Sequence, residues 1–558
     1  MTSRHGNLGA TPHAGMRWAQ RWACLLAGVL GLLPATAGTT GGREYFVRSD
    51  GHDDAAGTSP AAAWHSIDRV NNAQLSPGDQ VWFEGGQSFP GNLHLTASDA
   101  GSPEAPVVIG SRGPGRAELL AGNGNGITVE NAANVRLENL VVHGAGRTNN
   151  TGYGVLCDNL RTNGPRLTNL VIQGLEVAGF GVQGILISGM RAGWEQVRVR
   201  DCALHDNLRG GMEVAGRLPY DTAEYAHADV VVERCRAYDN TGDPNYARNH
   251  SGSGIVLYQV DGGVMRRCTA WNNGALGDNR AGGGVGLWVC AARRVAIEEC
   301  ESFGNRTRGL DGGGFDLDGG CEECLLQYNY SHDNDGPGLM VYTYPYASHH
   351  DRANIVRFNV SANDARRGRR YAGLWVQADG RTMSGLEIYN NTVVMAAGGA
   401  QAAFVRATGV EARLRNNLFL AAGETVPLRV QDPTPGVRCE GNFYWRGGAA
   451  FDLPWGDAHY KSLAEFRAAT GQESALPGGS GAAQDPLLTP LPPGLAPAQE
   501  VGLEKLTAYT PLPDSPVLAG GLDLAAAGFP AAPRDLRGRA LPAHNRLAGA
   551  MLGPVVKN

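Results

Sequence analysis

The chain has almost no lysine. Lys461, Lys505 and Lys557 stand among 48 lysines and arginines in 558 residues, so a lysine base is excluded from everything upstream of residue 461. Charge of either sign is sparse, at 18% of residues, with a formal net charge of -6. No basic block or interleaved basic and aromatic stripe occurs, which excludes nucleic acid as a partner. No phosphate-cradling glycine loop, partnered serine nucleophile or complete zinc motif is present. The C-x-x-C at Cys321 and Cys324 lacks the second pair a zinc site needs, and reads as a local disulfide or a plain turn. Past the N-terminus, no apolar run approaches the ~20 residues of a membrane span.

What the chain has in abundance is glycine, at 80 residues, the mark of many tight turns and few solvated helices. Its N-terminus carries Arg17 and Arg21, an apolar run from Ala23 to Leu33, and Ala35-Thr36-Ala37 before Gly38. That is the layout of a secretory signal cleaved near Ala37. A mature chain that is secreted or periplasmic, and free of the membrane after cleavage, is expected.

One phrase recurs: RDCALHDN from Arg200, ERCRAYDN from Glu233, RRCTAWNN from Arg266, EECESFGN from Glu298 and QYNYSHDN from Gln327. Cys202, Cys235, Cys268 and Cys300 follow at intervals of 33, 33 and 32 residues, and Asn329, Asn359 and Asn390 continue the series. Like side chains repeating once per unit predict an internal stack on the successive coils of a parallel solenoid. A disulfide ladder is the alternative, although equivalent side chains on successive coils point the same way. Helical hairpin repeats are excluded because the units are glycine-rich, β-branched and alternate with period two.

A second phrase, aligned on its glycine, predicts one strand per coil: GVLCD from Gly154, GILIS from Gly184, GMEVA from Gly211, GIVLY from Gly254, GVGLW from Gly284, GFDLD from Gly314, GLMVY from Gly338 and GLWVQ from Gly373. The first and third residues after each glycine are apolar and point into the coil. The second and fourth point outward: Glu213, Val256 and Tyr258, Gly286 and Trp288, Asp316 and Asp318, Met340 and Tyr342, Trp375 and Gln377. Exposed aromatics in consecutive coils suit the apolar faces of sugar rings. The competing reading is that long turns fold over this strand and bury them.

At these residues the chain resembles the pectate-lyase-like superfamily of right-handed parallel β-helix proteins. YFVRSDGHDDAAGTSPAAAWHSIDRVNNAQLSPGDQVWFEGGQSF from Tyr45 looks like that group's N-terminal cap. DGGGFDLDGG and YNYSHDNDGPG look like its repeat block, and SPVLAGGLDL with DLRGRALP at Asp535 resembles its closing segment. The resemblance implies an all-β, single-stranded right-handed parallel β-helix. The signal is expected over 1–37, the cap and first coils over 43–115, the helix with its substrate groove over 116–445, and a wrapping C-terminal segment over 446–558. It implies no particular reaction.

The chemistry must come from side chains. Asp316 and Asp318, two apart on one strand face, have Cα atoms about 6.6–7 Å apart, nearer the spacing of an inverting glycosidase pair than of a retaining one. Asp311 and Asp335 precede the aligned glycines of adjacent coils, and Asp335 is expected to overhang the pair with Asp311 beside it. An aspartate beside glycines is also a common turn residue. Arg280, Arg370 and His250, in turns before the same strand, are candidates for charge balance or for gripping sugar, and Glu213, Tyr258, Trp288, Tyr342, Trp375 and Gln377 for holding neighbouring sugars.

The leading reading is a glycoside hydrolase on a polysaccharide or oligosaccharide, with Asp316, Asp318, Asp335 and Asp311 as its acids and bases and no cofactor required. A Ca²⁺-assisted polysaccharide lyase or C5-epimerase, with Ca²⁺ among the acids and Arg280 or Arg370 as base, is the alternative. A non-catalytic carbohydrate-binding solenoid and a carboxylesterase using two aspartates and an arginine also fit. A monomer is expected.

Overall fold

The computed structural model describes residues 41–553 except 219–221, 247, 279, 281, 369, 397–399, 477–479, 491–498 and 530–531. The signal segment with its cleavage site and Lys557 lie outside the described residues.

Among the described residues, successive coils feed three sheets of 15, 13 and 14 strands, parallel except for the last pair of the third, Leu453–Trp455 with Ala458–Tyr460. In one coil Arg293–Glu298 joins the first sheet, Glu301–Phe303 the second and Phe315–Leu317 the third. Each pairs in parallel with its counterpart in the coils before and after. At the N-terminal end a short helix, Ile67–Asn71, is capped by the Ser66 side chain accepting from Arg69 N–H. The Leu75 to Asp79 turn is tied by Asp79, whose carboxylate accepts from Arg43 N–H at 2.8 Å and Ser76 N–H at 3.0 Å.

The inward residues of the third sheet are buried as alternation requires, among them Ile185, Ile187, Met212, Val214, Phe315, Leu317, Leu339 and Val341. One coil departs from the glycine alignment. Ile255 pairs with Leu287, and Leu287 with Phe315, so Gly286 rather than Gly284 is the counterpart of Gly254 and Gly314. The inner wall explains the choice: a Cβ on Gly286 would lie 2.1 Å from Ser302 Oγ, and one on Gly314 2.2 Å from Ser331 Oγ. Leu287 and Val289 therefore point inward, while Val285 packs with the outward Trp288 and Cys290.

The stack between the first and second sheets holds, with one correction. Cys202, Cys235, Cys268 and Cys300 are buried free thiols, not a disulfide ladder, and Cys321 and Cys324 are free as well. Cys300 N–H donates to Asn329 Oδ1 at 2.9 Å, and the amides then run Asn329 to Asn359, Asn391, Asn417 and Asn442, each Nδ2 donating to the next Oδ1 at 2.9–3.0 Å. The member of that series is Asn391, not Asn390, whose amide turns outward to Leu547 O at 2.7 Å. A second amide ladder, Asn207, Asn240, Asn273, Asn305 and Asn334, ends on Asp364 at the corner before the third sheet. These asparagines close each repeated phrase.

The C-terminal segment lies along the outside of the coils. Leu506, Leu522, Leu536, Leu547 and Met551 cover Tyr328, Tyr330, Phe358 and Tyr389, and Val501 and Gly502 N–H donate to Glu301 at 2.7 and 2.8 Å. Truncation after residue 499 is expected to expose this apolar face and drive aggregation. Dye binding and light scattering of the shortened chain check it.

Candidate active site

The third sheet carries the outward row Glu213, Val256, Trp288, Asp316, Met340, Trp375 and Phe404, one residue per coil in register. Beside it runs a second row in which Tyr258 pairs with Cys290 and Tyr342 with Gln377, with Asp318 directly after the paired Leu317. Long turns entering this sheet raise one wall, with His250, Arg280, Gly283, Asp311, Arg370 and Tyr371. The turn leaving it after Thr343 raises the other, with Tyr344, Pro345 and Tyr346. Together they close a pocket of about 610 Å³, within the range of sites for small ligands.

Every expected sugar-binding residue lines this pocket: Glu213, Tyr258, Trp288, Tyr342, Trp375, Gln377, His250, Arg280 and Arg370. Their exposure differs from expectation, because the turns do cover part of the row. Trp288 is only 6% exposed; His250 meets it edge-on with ring centroids 4.7 Å apart, and its indole N–H donates to Ser253 Oγ at 3.1 Å. Trp375 stacks on Phe404 at 4.1 Å. Tyr346, 59% exposed, stands at the mouth, and Asp379 accepts from the Tyr342 hydroxyl at 2.9 Å and the Gln377 amide at 2.8 Å. At the far end Glu213 accepts from Gln183 Nε2 at 2.6 Å, with His250 Nε2 at 3.9 Å.

Three of the four expected catalytic acids come together. Asp311, Asp316 and Asp318 all line the pocket, and Asp335 does not. Its carboxylate accepts from Thr307 N–H at 3.1 Å, which ties its turn to the turn of the preceding coil. The expected overhang fails because the turn from Asn334 to Gly338 is too short to rise over the sheet, whereas the longer turn before Gly314 carries Asp311 into the pocket.

The three environments differ. Asp311 accepts from Gly283 N–H at 2.7 Å and from the Tyr371 hydroxyl at 3.2 Å. Burial raises its carboxyl overall, with these bonds, Arg370 and His250 pulling against it. Gly283 must be glycine, since a Cβ there would sit 1.8 Å from Leu310 O. The Asp318 carboxyl is pushed up to about 8, chiefly by burial, with Asp311 and Asp351 adding like-charge repulsion. Asp316 is raised well above the usual carboxylate range by burial and then by Asp318, Asp311 and Asp351. Burial also pushes the His250 imidazole down, which favours its neutral form.

Two participants were not legible as site residues. Asp351, buried behind the pocket, accepts from Gly320 and Cys321 N–H at 2.9 and 3.1 Å and is pushed up to about 6 by burial. Cys290 Sγ lies 3.1 Å from the Tyr344 hydroxyl; the register set at Gly286 brings it into the outward row opposite Tyr258, two residues past the end of the phrase aligned on Gly284. Among the described residues no group of three His, Cys, Asp or Glu side chains is arranged to hold a metal ion.

Residues 166–348 match the family described as the right-handed β-helix region. The chain is a right-handed parallel β-helix. This is the fold that the resemblance to the pectate-lyase-like superfamily implied.

The lacto-N-biosidase of Bifidobacterium longum subsp. longum is 24% identical to this β-helix over 527 aligned positions, covering 76% of this chain and 32% of the relative. The chain thus spans about a third of the curated relative it matches. Among solved structures, the GH136 lacto-N-biosidase from Eubacterium ramulus is similar at 20% identity and a TM-score of 0.45, covering 66% of this β-helix and 65% of that chain. The A-module of the Azotobacter vinelandii mannuronan C-5 epimerase AlgE4 is similar at 16% identity and a TM-score of 0.44, covering 65% and 91%.

Proposed function

We propose that this chain is an exported glycoside hydrolase that cleaves a neutral oligosaccharide in the pocket of the third sheet, with Asp318 as general acid and Asp311 as the partner carboxylate. The observation that carries the reading is the contrast between these two groups in one pocket. Asp318 is kept protonated near neutral pH by burial and like charge. Asp311 is raised by burial too, but two donors that favour its charged form hold it back. Such a split assigns acid and base roles.

In the reaction Asp318 gives its proton to the glycosidic oxygen as the bond to the anomeric carbon breaks. Asp311 then stabilises the cationic sugar, either attacking it or taking a proton from the water that does. The inversion expected from the two-residue spacing of Asp316 and Asp318 does not carry over to this pair. The hydrolase reading requires no cofactor.

Two further observations support it. Among the described residues lining the pocket, the acids Glu213, Asp311, Asp316, Asp318 and Asp379 outnumber the arginines, Arg280 and Arg370, which disfavours a uronate polymer and with it the lyase and epimerase reading. The curated relative is a lacto-N-biosidase, a glycosidase by its name.

The test is product analysis of the mature chain on neutral and uronate-containing glycans. New reducing ends without the ultraviolet absorbance of an unsaturated uronate, unaffected by a chelator, are expected. Unsaturated products lost on chelation would overturn the reading. D311N is expected to lower kcat about 10²-fold or more, and proton NMR of the first-formed anomer tells attack by Asp311 from attack by water.

A further inference from the structure

Asp316 differs from the other acids of the pocket in having an atom with nothing to bond. Asp311, Asp379 and Glu213 each accept hydrogen bonds from neighbouring side chains or backbone. Asp316 is 2% exposed, and its Oδ1 is buried with no hydrogen-bond partner among the described residues. Its register neighbours are Trp288 and Met340, which with Val256 and Val285 form an apolar wall. Burial and the carboxylates of Asp318, Asp311 and Asp351 all push its carboxyl toward the neutral form. Buried polar atoms left unpaired are costly and uncommon. One that lines a pocket is satisfied by what enters the pocket.

We propose that Asp316 is a specificity-determining residue rather than the acid or base of the reaction: its carboxyl binds a hydroxyl or amide group of the sugar lying against Trp288 and Met340. The proposal rests on the hydrolase reading for its kinetic test and on sugar binding for the rest. A neutral carboxyl presents one donor and a free acceptor. Asparagine reproduces that pair, and leucine fills the space with neither. A site built to bond a polar group discriminates strongly against an analogue lacking it, because its own buried group is then left unpaired.

The experiment compares wild type, D316N and D316L by kcat and KM on the neutral oligosaccharide cleaved best, and by binding to an array of neutral oligosaccharides in the D318N background so that bound sugar stays intact. D316N is expected to keep kcat within about threefold and to keep the array pattern, whereas D316L raises KM about tenfold or more and loses the preference for a sugar over its monodeoxy analogue. Thermal melting confirms folding, and D316A replaces D316L if leucine prevents it. A kcat for D316N as low as that of D318N, or unchanged KM and array pattern in D316L, overturns the proposal. Array binding that depends on Asp316 with no cleavage by wild type overturns the hydrolase reading and leaves the sugar-binding role standing.

Discussion

D318N is expected to lower kcat by about 10²–10⁴-fold while leaving the β-helix folded, because a positioned general acid contributes on that order. Asparagine keeps the shape of the protonated carboxyl but has no proton of comparable acidity to give. Wild-type kcat should fall as pH rises through about 8, where Asp318 loses its proton, and the small residual activity of D318N should lack that limb. A pH profile of both proteins, with melting curves alongside, checks it. Full activity in D318N would remove Asp318 from the reaction.

The same group gives a stability effect of definite sign. A carboxyl raised to about 8 in the folded protein binds its proton more tightly there than in the unfolded chain, where it ionises near 4. Its contribution is fully present below the unfolded value and is lost as pH rises through the folded one. D318N cannot ionise at this position, so its melting temperature should fall less than that of wild type between pH 5 and pH 8.

The second large effect is structural and lies far from the pocket. Asn359→Leu is expected to cost about 3 kcal/mol or more, or to prevent folding, since several buried partners lose their bonds at once. Asn359 Oδ1 accepts from Asn329 N–H and Nδ2, both at 3.0 Å, and its own Nδ2 donates to Leu326 O at 2.9 Å and Asn391 Oδ1 at 3.0 Å. Cys235→Ala, at the equivalent place among the thiols, should cost less, because a small apolar side chain keeps most of the packing and thiol hydrogen bonds are weak. Denaturant unfolding of the two variants against wild type measures the difference.

The solenoid was legible because its signals are local and repeated. Alternation assigned nearly every face of the third sheet, and the recurring cysteines and asparagines marked an internal stack. It erred where one repeat offered two candidate glycines: only the close approach of Gly286 to Ser302 Oγ, a contact between successive coils, selects the register that pairs Trp288 with Asp316. The choice between Asn390 and Asn391 turned likewise on which amide faces the coil interior and which faces the C-terminal segment.

The sequence by itself determined the fold, the strand that bears the candidate site and most of the strand residues that line it, because a period-two pattern repeated once per coil leaves side chains only two directions. It could not decide which acids act together. Asp335 and Asp311 stand at the same offset before their glycines and each accepts from a backbone N–H of the preceding coil, yet Asp311 enters the pocket and Asp335 does not. Turn length, the glycine at 283 and the tyrosine at 371 make that difference. Protonation was equally out of reach, since it depends on burial and on charges brought together from separate coils, which only the tertiary structure supplies.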